Sequence, residues 1–170
     1  MARNDVVMYS DGGTAYPGDR KFAVAAGATQ IYKGDPVLKA LGTSGNVVTI
    51  LTDGLPQSSA ADLTAGIAAS DSTQTASVAG TVEVTKLDPT VTWLCAPTTA
   101  ASWDTQAEYD ALVGSRVTFQ LSGGVYTVNA TDNAAYGLVV EPLDIVAYPG
   151  KVRFSIRPAA TYLGWATGIS

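Results

Sequence analysis

The chemistry open to this chain is narrowed first by what it lacks. Its 170 residues contain no histidine and one cysteine. That removes the side chain that most often acts as general base or metal ligand near neutral pH, and with it the Ser/His/Asp and Cys/His nucleophilic arrangements. Paired carboxylates remain as a route to acid–base or glycosidic chemistry. The three glutamates are Glu83, Glu108 and Glu141; the twelve aspartates stand mostly beside Gly, Pro, Ser or Thr, where Asp is a turn former first. Asp104-Thr105-Gln106 lacks the glycine of an aspartic-protease triplet. No Asp series has calcium-loop spacing, and Gly42-Thr43-Ser44-Gly45 fits neither the dinucleotide nor the phosphate-loop pattern. Asn129-Ala130-Thr131 is a glycosylation acceptor only in a secreted chain. The expectation is a protein that is not an enzyme and holds no cofactor or metal.

Three features suggest contacts with partners instead. Lys151, Arg153 and Arg157 put three of the ten cations on one strand, opposite Val152, Phe154 and Ile156. They read either as a partner-contact face or as a solvated sheet face that blunts an edge. Tyr162, Leu163 and Trp165 form an aromatic tail, suited to an interface centre or to packing on the chain's own core. Trp93 and Trp103 flank the loop Ala96-Pro97-Thr98-Thr99-Ala100. They read either as a stacking platform for sugar or as core anchors of that loop. Cys95 has no partner for an intramolecular disulfide and reads as a small buried thiol.

The elements that must position these residues are short strands. Residues 1–26 carry turn chemistry, Ser10-Asp11-Gly12-Gly13 and Tyr16-Pro17-Gly18-Asp19, with no sustained apolar period. They are expected as an N-terminal arm with at most one short strand, ahead of a single β-rich domain over 27–170. Strands are expected at 29–32, 37–41, 47–51, 66–70, 81–86 and 91–95, with 57–64 as loop. Thr105-Gln106-Ala107-Glu108 is a capping box that opens one short helix over about 105–113, stopped by Gly114. Further strands are expected at 115–121 and 125–128 around Gly123-Gly124, then at 137–140, 144–148 and 152–156, with a turn at Pro149-Gly150. About nine to eleven strands with turns every eight to twelve residues predict an all-β barrel or sandwich.

Composition bounds the partners. Apolar residues make up 46% of the chain and charged residues 15%, against about 25% charged in a typical domain. A subunit that buries much of its outside has such a composition, as does a large β core. The net charge of −5, with dispersed cations, disfavours nucleic acid. Met1-Ala2-Arg3-Asn4-Asp5 is not followed by the apolar core of a secretory signal, and no apolar run approaches the ~18 residues of a membrane span. A cytoplasmic site of synthesis and no membrane partner are expected.

Three segments then carry a resemblance. Gln30-Ile31-Tyr32-Lys33-Gly34-Asp35-Pro36-Val37, Gly66-Ile67-Ala68-Ala69-Ser70-Asp71-Ser72 and Val78-Ala79-Gly80-Thr81-Val82-Glu83-Val84 resemble the head decoration (capsid cement) proteins of tailed bacteriophages. A strand followed by Gly-Asp and Val, a Gly-Ile-Ala strand and a Gly-x-Val-x-Val strand recur there in a small β-barrel. The resemblance covers mainly residues 27–87. It implies a structural protein of the virion on the outer surface of the head. The implied partners are the major capsid protein and further copies of the chain, most simply in a homotrimer, often with a terminal arm in the contact. The alternative is a carbohydrate-binding β module associated with a phage tail or fibre.

Overall fold

The period-two alternation of the chain builds two antiparallel sheets in the computed structural model, which describes residues 6–9, 18–40, 47–51, 62–86, 90–130 and 138–156. The strands are β1 (Val6–Tyr9), β2 (Asp19–Val24), β3 (Pro36–Ala40), β4 (Thr49–Ile50), β5 (Asp62–Ala68), β6 (Gly80–Lys86), β7 (Thr92–Cys95), β8 (Arg116–Ser122), β9 (Val125–Asn129), β10 (Leu138–Val140) and β11 (Val152–Ser155). One helix, α1 (Gln106–Leu112), follows a 3-10 turn at Ala100–Ser102. Among the described residues the protein is all-β with one short helix, as its alternation predicts.

The larger sheet runs β1-β7-β11-β10-β8-β9 and the smaller β2-β6-β5-β3-β4. Each rolls until its edges meet. In the smaller sheet Val48 N–H donates to the Ala23 carbonyl at 2.9 Å, beside a parallel Ala23–Val47 bridge. In the larger, the chain beyond β7 flanks β9. Val128 N–H donates to the Ala96 carbonyl and Thr98 N–H to the Val128 carbonyl, both at 2.8 Å, around a parallel Pro97–Val128 bridge. The parallel sense follows from strand number. With β1 set aside, each ring has five strands, and antiparallel neighbours alternate in direction, so the first and fifth point the same way. Closing the ring shields sheet edges that would otherwise recruit other chains.

Each ring is filled by alternate residues. In the larger these are Trp93 and Cys95, Val117 and Phe119, Tyr126 and Val128, Leu138 and Val140, Val152 and Phe154, all 2% exposed or less. Edge-to-face contacts join Phe119 to Phe154 at 5.5 Å and to Tyr126 at 6.2 Å. In the smaller ring Phe22, Val24, Ile31, Val37, Val48, Ala68, Val82 and Val84 form a separate cluster. Leu38, Leu51 and Ile67, from the smaller ring's part of the chain, belong to the larger cluster. Across the same junction the Tyr126 hydroxyl donates to the Leu51 carbonyl.

Four expectations change. Within the expected arm, β1 and β2 are sheet members: β1 pairs with β7 and β2 with β6 over its full length. Val6, Phe22 and Val24 are buried, so apolar burial holds this part of the chain down despite its turn-rich sequence. Residues 29–32 are not a strand. Side chains replace the ladder there: Gln74 Nε2 donates to the Ala28 and Thr29 carbonyls, and Ser72 Oγ accepts from Ile31 N–H at 2.9 Å. β5 starts at Asp62, inside a stretch expected as loop. Residues 144–148 form a turn, because Asp144 Oδ1 accepts from the N–H groups of Val146 and Ala147 and the Asp144 carbonyl from that of Tyr148.

Candidate interaction surface

The outer face of β11 is where the sequence placed its cations. The strand alternates as expected, with Val152, Phe154 and Ile156 buried and Lys151, Arg153 and Ser155 half-buried on the other side. Arg157, Tyr162, Leu163 and Trp165 lie outside the described residues. Arg153 is engaged within the molecule. Its Nε donates to Thr92 Oγ1 at 3.0 Å and its Nη1 to the Pro142 carbonyl at 3.2 Å. Its guanidinium carbon lies 4.2 Å from the centre of the Tyr9 ring, a cation–π contact. Strand pairing explains the meeting: Tyr9 lies opposite Thr92, and Arg153 opposite Leu94. Lys151 immediately precedes β11, two residues before Arg153.

Tyr148 packs edge-on against Tyr9 at 5.3 Å. Its hydroxyl is held above the ordinary tyrosine pKa, chiefly by a hydrogen bond to the Tyr9 hydroxyl and then by the Tyr9 charge. The ring reaches this place because the Asp144 turn brings it there.

Helix α1 supplies the opposite wall. Its capping box is complete: Thr105 Oγ1 accepts from Glu108 N–H, and the Glu108 carboxylate accepts from Thr105 N–H. Bonds from Thr105 and then Asp104 hold the Glu108 carboxyl below its usual range. The bond to Glu108, and then its charge, raises that of Asp104. Tyr109 anchors the helix to the sheet. Its hydroxyl donates to the Glu141 carbonyl and accepts from Arg153 N–H, each at 2.9 Å. Burial pushes the Tyr109 phenol up. Gln106 ties the helix to the following loop, donating to Asp110 Oδ1 at 2.7 Å and to the Leu143 carbonyl at 3.0 Å, and accepting from Ile145 N–H at 3.2 Å.

Between these walls lies a shallow depression of about 440 Å³, lined by Tyr9, Gln106, Asp110, Pro142, Leu143, Asp144 and Arg153. Of these residues the sequence singled out Arg153 alone. Tyr9 stood in the expected arm and Tyr148 in an expected strand. The signal for the turn was Asp144 ahead of Pro149-Gly150.

The tryptophan platform is not formed. Trp93 is 2% exposed and Trp103 5%, with Trp103 edge-on to Tyr109 at 5.6 Å. Both are core anchors. Cys95 is the buried thiol expected of it, donating to the Tyr126 carbonyl at 3.4 Å. Among the described residues no group of three or more His, Cys, Asp or Glu side chains could hold a metal ion. No helix among them is long and apolar enough to cross a membrane. Comparison with known proteins finds no matching family model, no matching curated protein and no matching solved structure.

Proposed function

We propose that the chain is a head decoration protein of a tailed bacteriophage, attached as a homo-oligomer to the outer surface of the capsid through the major capsid protein. One observation carries the reading: the three segments that resemble that family form one small β unit. Lys33 N–H donates to Asp71 Oδ1 and Gly34 N–H to the Ala68 carbonyl, both at 2.8 Å. Ala68 N–H donates to the Asp35 carbonyl at 2.9 Å, and Gln30 Nε2 to the Ser72 carbonyl at 2.6 Å. The Gly80–Lys86 strand lies between β2 and β5 in the same ring. The glycines of two of the segments have a steric reason. A Cβ on Gly66 would lie 2.1 Å from the Thr85 carbonyl oxygen, and one on Gly80 2.1 Å from Gln74 N. The unit has its own apolar cluster, as a small β-barrel must.

The test is to mix the protein with capsids of the phage whose genome carries it, image the particles by negative stain, and weigh the free protein by light scattering. Added density at three-fold or quasi-three-fold positions, with a trimer on the capsid or in solution, supports the reading. Bare capsids at saturating protein overturn it.

A further inference from the structure

We propose that the depression between β1, β11 and α1 binds a neutral saccharide, a hexose or the end of a short neutral glycan. Its volume of about 440 Å³ falls in the lower part of the ~300–1,000 Å³ range of small-ligand sites. Its lining includes the apolar Pro142 and Leu143 together with Tyr9, surfaces that suit the C–H face of a sugar ring. Its rim is polar and of both signs. Asp110 and Asp144 each commit one carboxylate oxygen, to Gln106 and to the 144–147 turn. Their second oxygens have no hydrogen-bond partner among the described residues. Arg153 commits Nε and Nη1 and keeps Nη2.

A sugar hydroxyl both donates and accepts. A rim of carboxylate acceptors beside a guanidinium donor serves adjacent hydroxyls without requiring a charge on the ligand. The two carboxylates oppose phosphate and nucleic acid, and Arg153 opposes a cationic peptide. The rim is also set before any ligand arrives. Gln106 holds Asp110, backbone N–H groups hold Asp144, and Thr92, Pro142 and Tyr9 hold Arg153. Little ordering remains for the ligand to impose.

The experiment is an NMR titration of the full chain with methyl glycosides of glucose, galactose, mannose and N-acetylglucosamine. N-acetylneuraminic acid serves as the anionic probe and glucosamine as the cationic one. Saturable shifts at Tyr9, Asp110, Asp144 and Arg153 are expected with at least one neutral glycoside. Asp110→Asn with Asp144→Asn keeps the shape and the local acceptors, so the fold, checked by circular dichroism and the thermal midpoint, stays. Affinity is expected to fall about tenfold, the loss of roughly one charge-assisted hydrogen bond. No saturable shift with any neutral glycoside overturns the proposal. So does binding that the double variant leaves unchanged, and so does a response confined to a charged probe. Capsid attachment is not read here, so either proposal can fail while the other stands.

Discussion

Arg153 shows how a residue can be placed correctly by sequence and still take an unforeseen role. Alternation put it on the outer face, and there it bridges Thr92, Pro142 and Tyr9. Its backbone N–H is also satisfied by the Tyr109 hydroxyl. Tyr109→Phe removes that acceptor and the donor to the Glu141 carbonyl, leaving two backbone groups short. The expected loss is about 1–3 kcal/mol by chemical denaturation at pH 7. The pH dependence has a definite sign. Burial raises the Tyr109 pKa above its ordinary 10.0. A raised pKa stabilises fully below the unfolded value and less as pH rises through it. The parent should lose stability above about pH 10, and Tyr109→Phe should lose less over that range. Gly66 is a second case of one residue deciding a contact. A side chain there meets the Thr85 backbone. Gly66→Ala should cost at the upper end of the roughly 1–3 kcal/mol of overpacking, read as a lowered denaturation midpoint.

Among the elements, α1 depends on its cap, because seven residues form too few turns to hold by propensity alone. Thr105→Ala should cost about 1 kcal/mol in denaturation experiments. It should also move the resonances of Gln106 and Asp110, which the helix carries to the depression. Acid should weaken the same cap: a depressed Glu108 pKa stabilises above the unfolded value and is lost as pH falls through the folded one. Strand β1 is the other informative element. It covers the outer edge of β7, Val6 is 2% exposed, and Val6 N–H reaches the Gly34 carbonyl at 3.3 Å. Removing residues 1–9 should lower the thermal midpoint by an amount matching the roughly 1.5–3 kcal/mol of one buried valine. An unchanged midpoint would mean that β1 adds nothing to the core.

At the scale of the whole molecule, the two rings have separate interiors but a shared boundary at Leu38, Leu51 and Ile67. The boundary should make them unfold together. Trp93 and Trp103 both belong to the larger cluster, whereas Phe22 belongs only to the smaller. Phe22→Ala, expected to cost about 3–5 kcal/mol, should therefore shift the unfolding midpoint read by tryptophan fluorescence. If that midpoint stays while circular dichroism shows an earlier transition, the rings unfold independently.

What could be read along the chain was whatever depends on near neighbours. The capping box at Thr105 and Glu108, the Gly123-Gly124 turn, and the inward face of β11 follow from local dihedral preferences and a period of two. In β8 both faces are covered, since Thr118 is fully buried between the buried Val117 and Phe119. Alternation says which residues share a face, not what covers it. The two parallel seams, the membership of β1 and the meeting of Tyr9, Tyr148 and Arg153 had no local signal. The seams form only once a rolled sheet brings its edges together, and the other two only once β1 pairs with β7, far from it in sequence. The candidate site is made of such meetings, because its walls come from β1, α1, β11 and the loop after β10, and no one segment holds enough of it to be recognised.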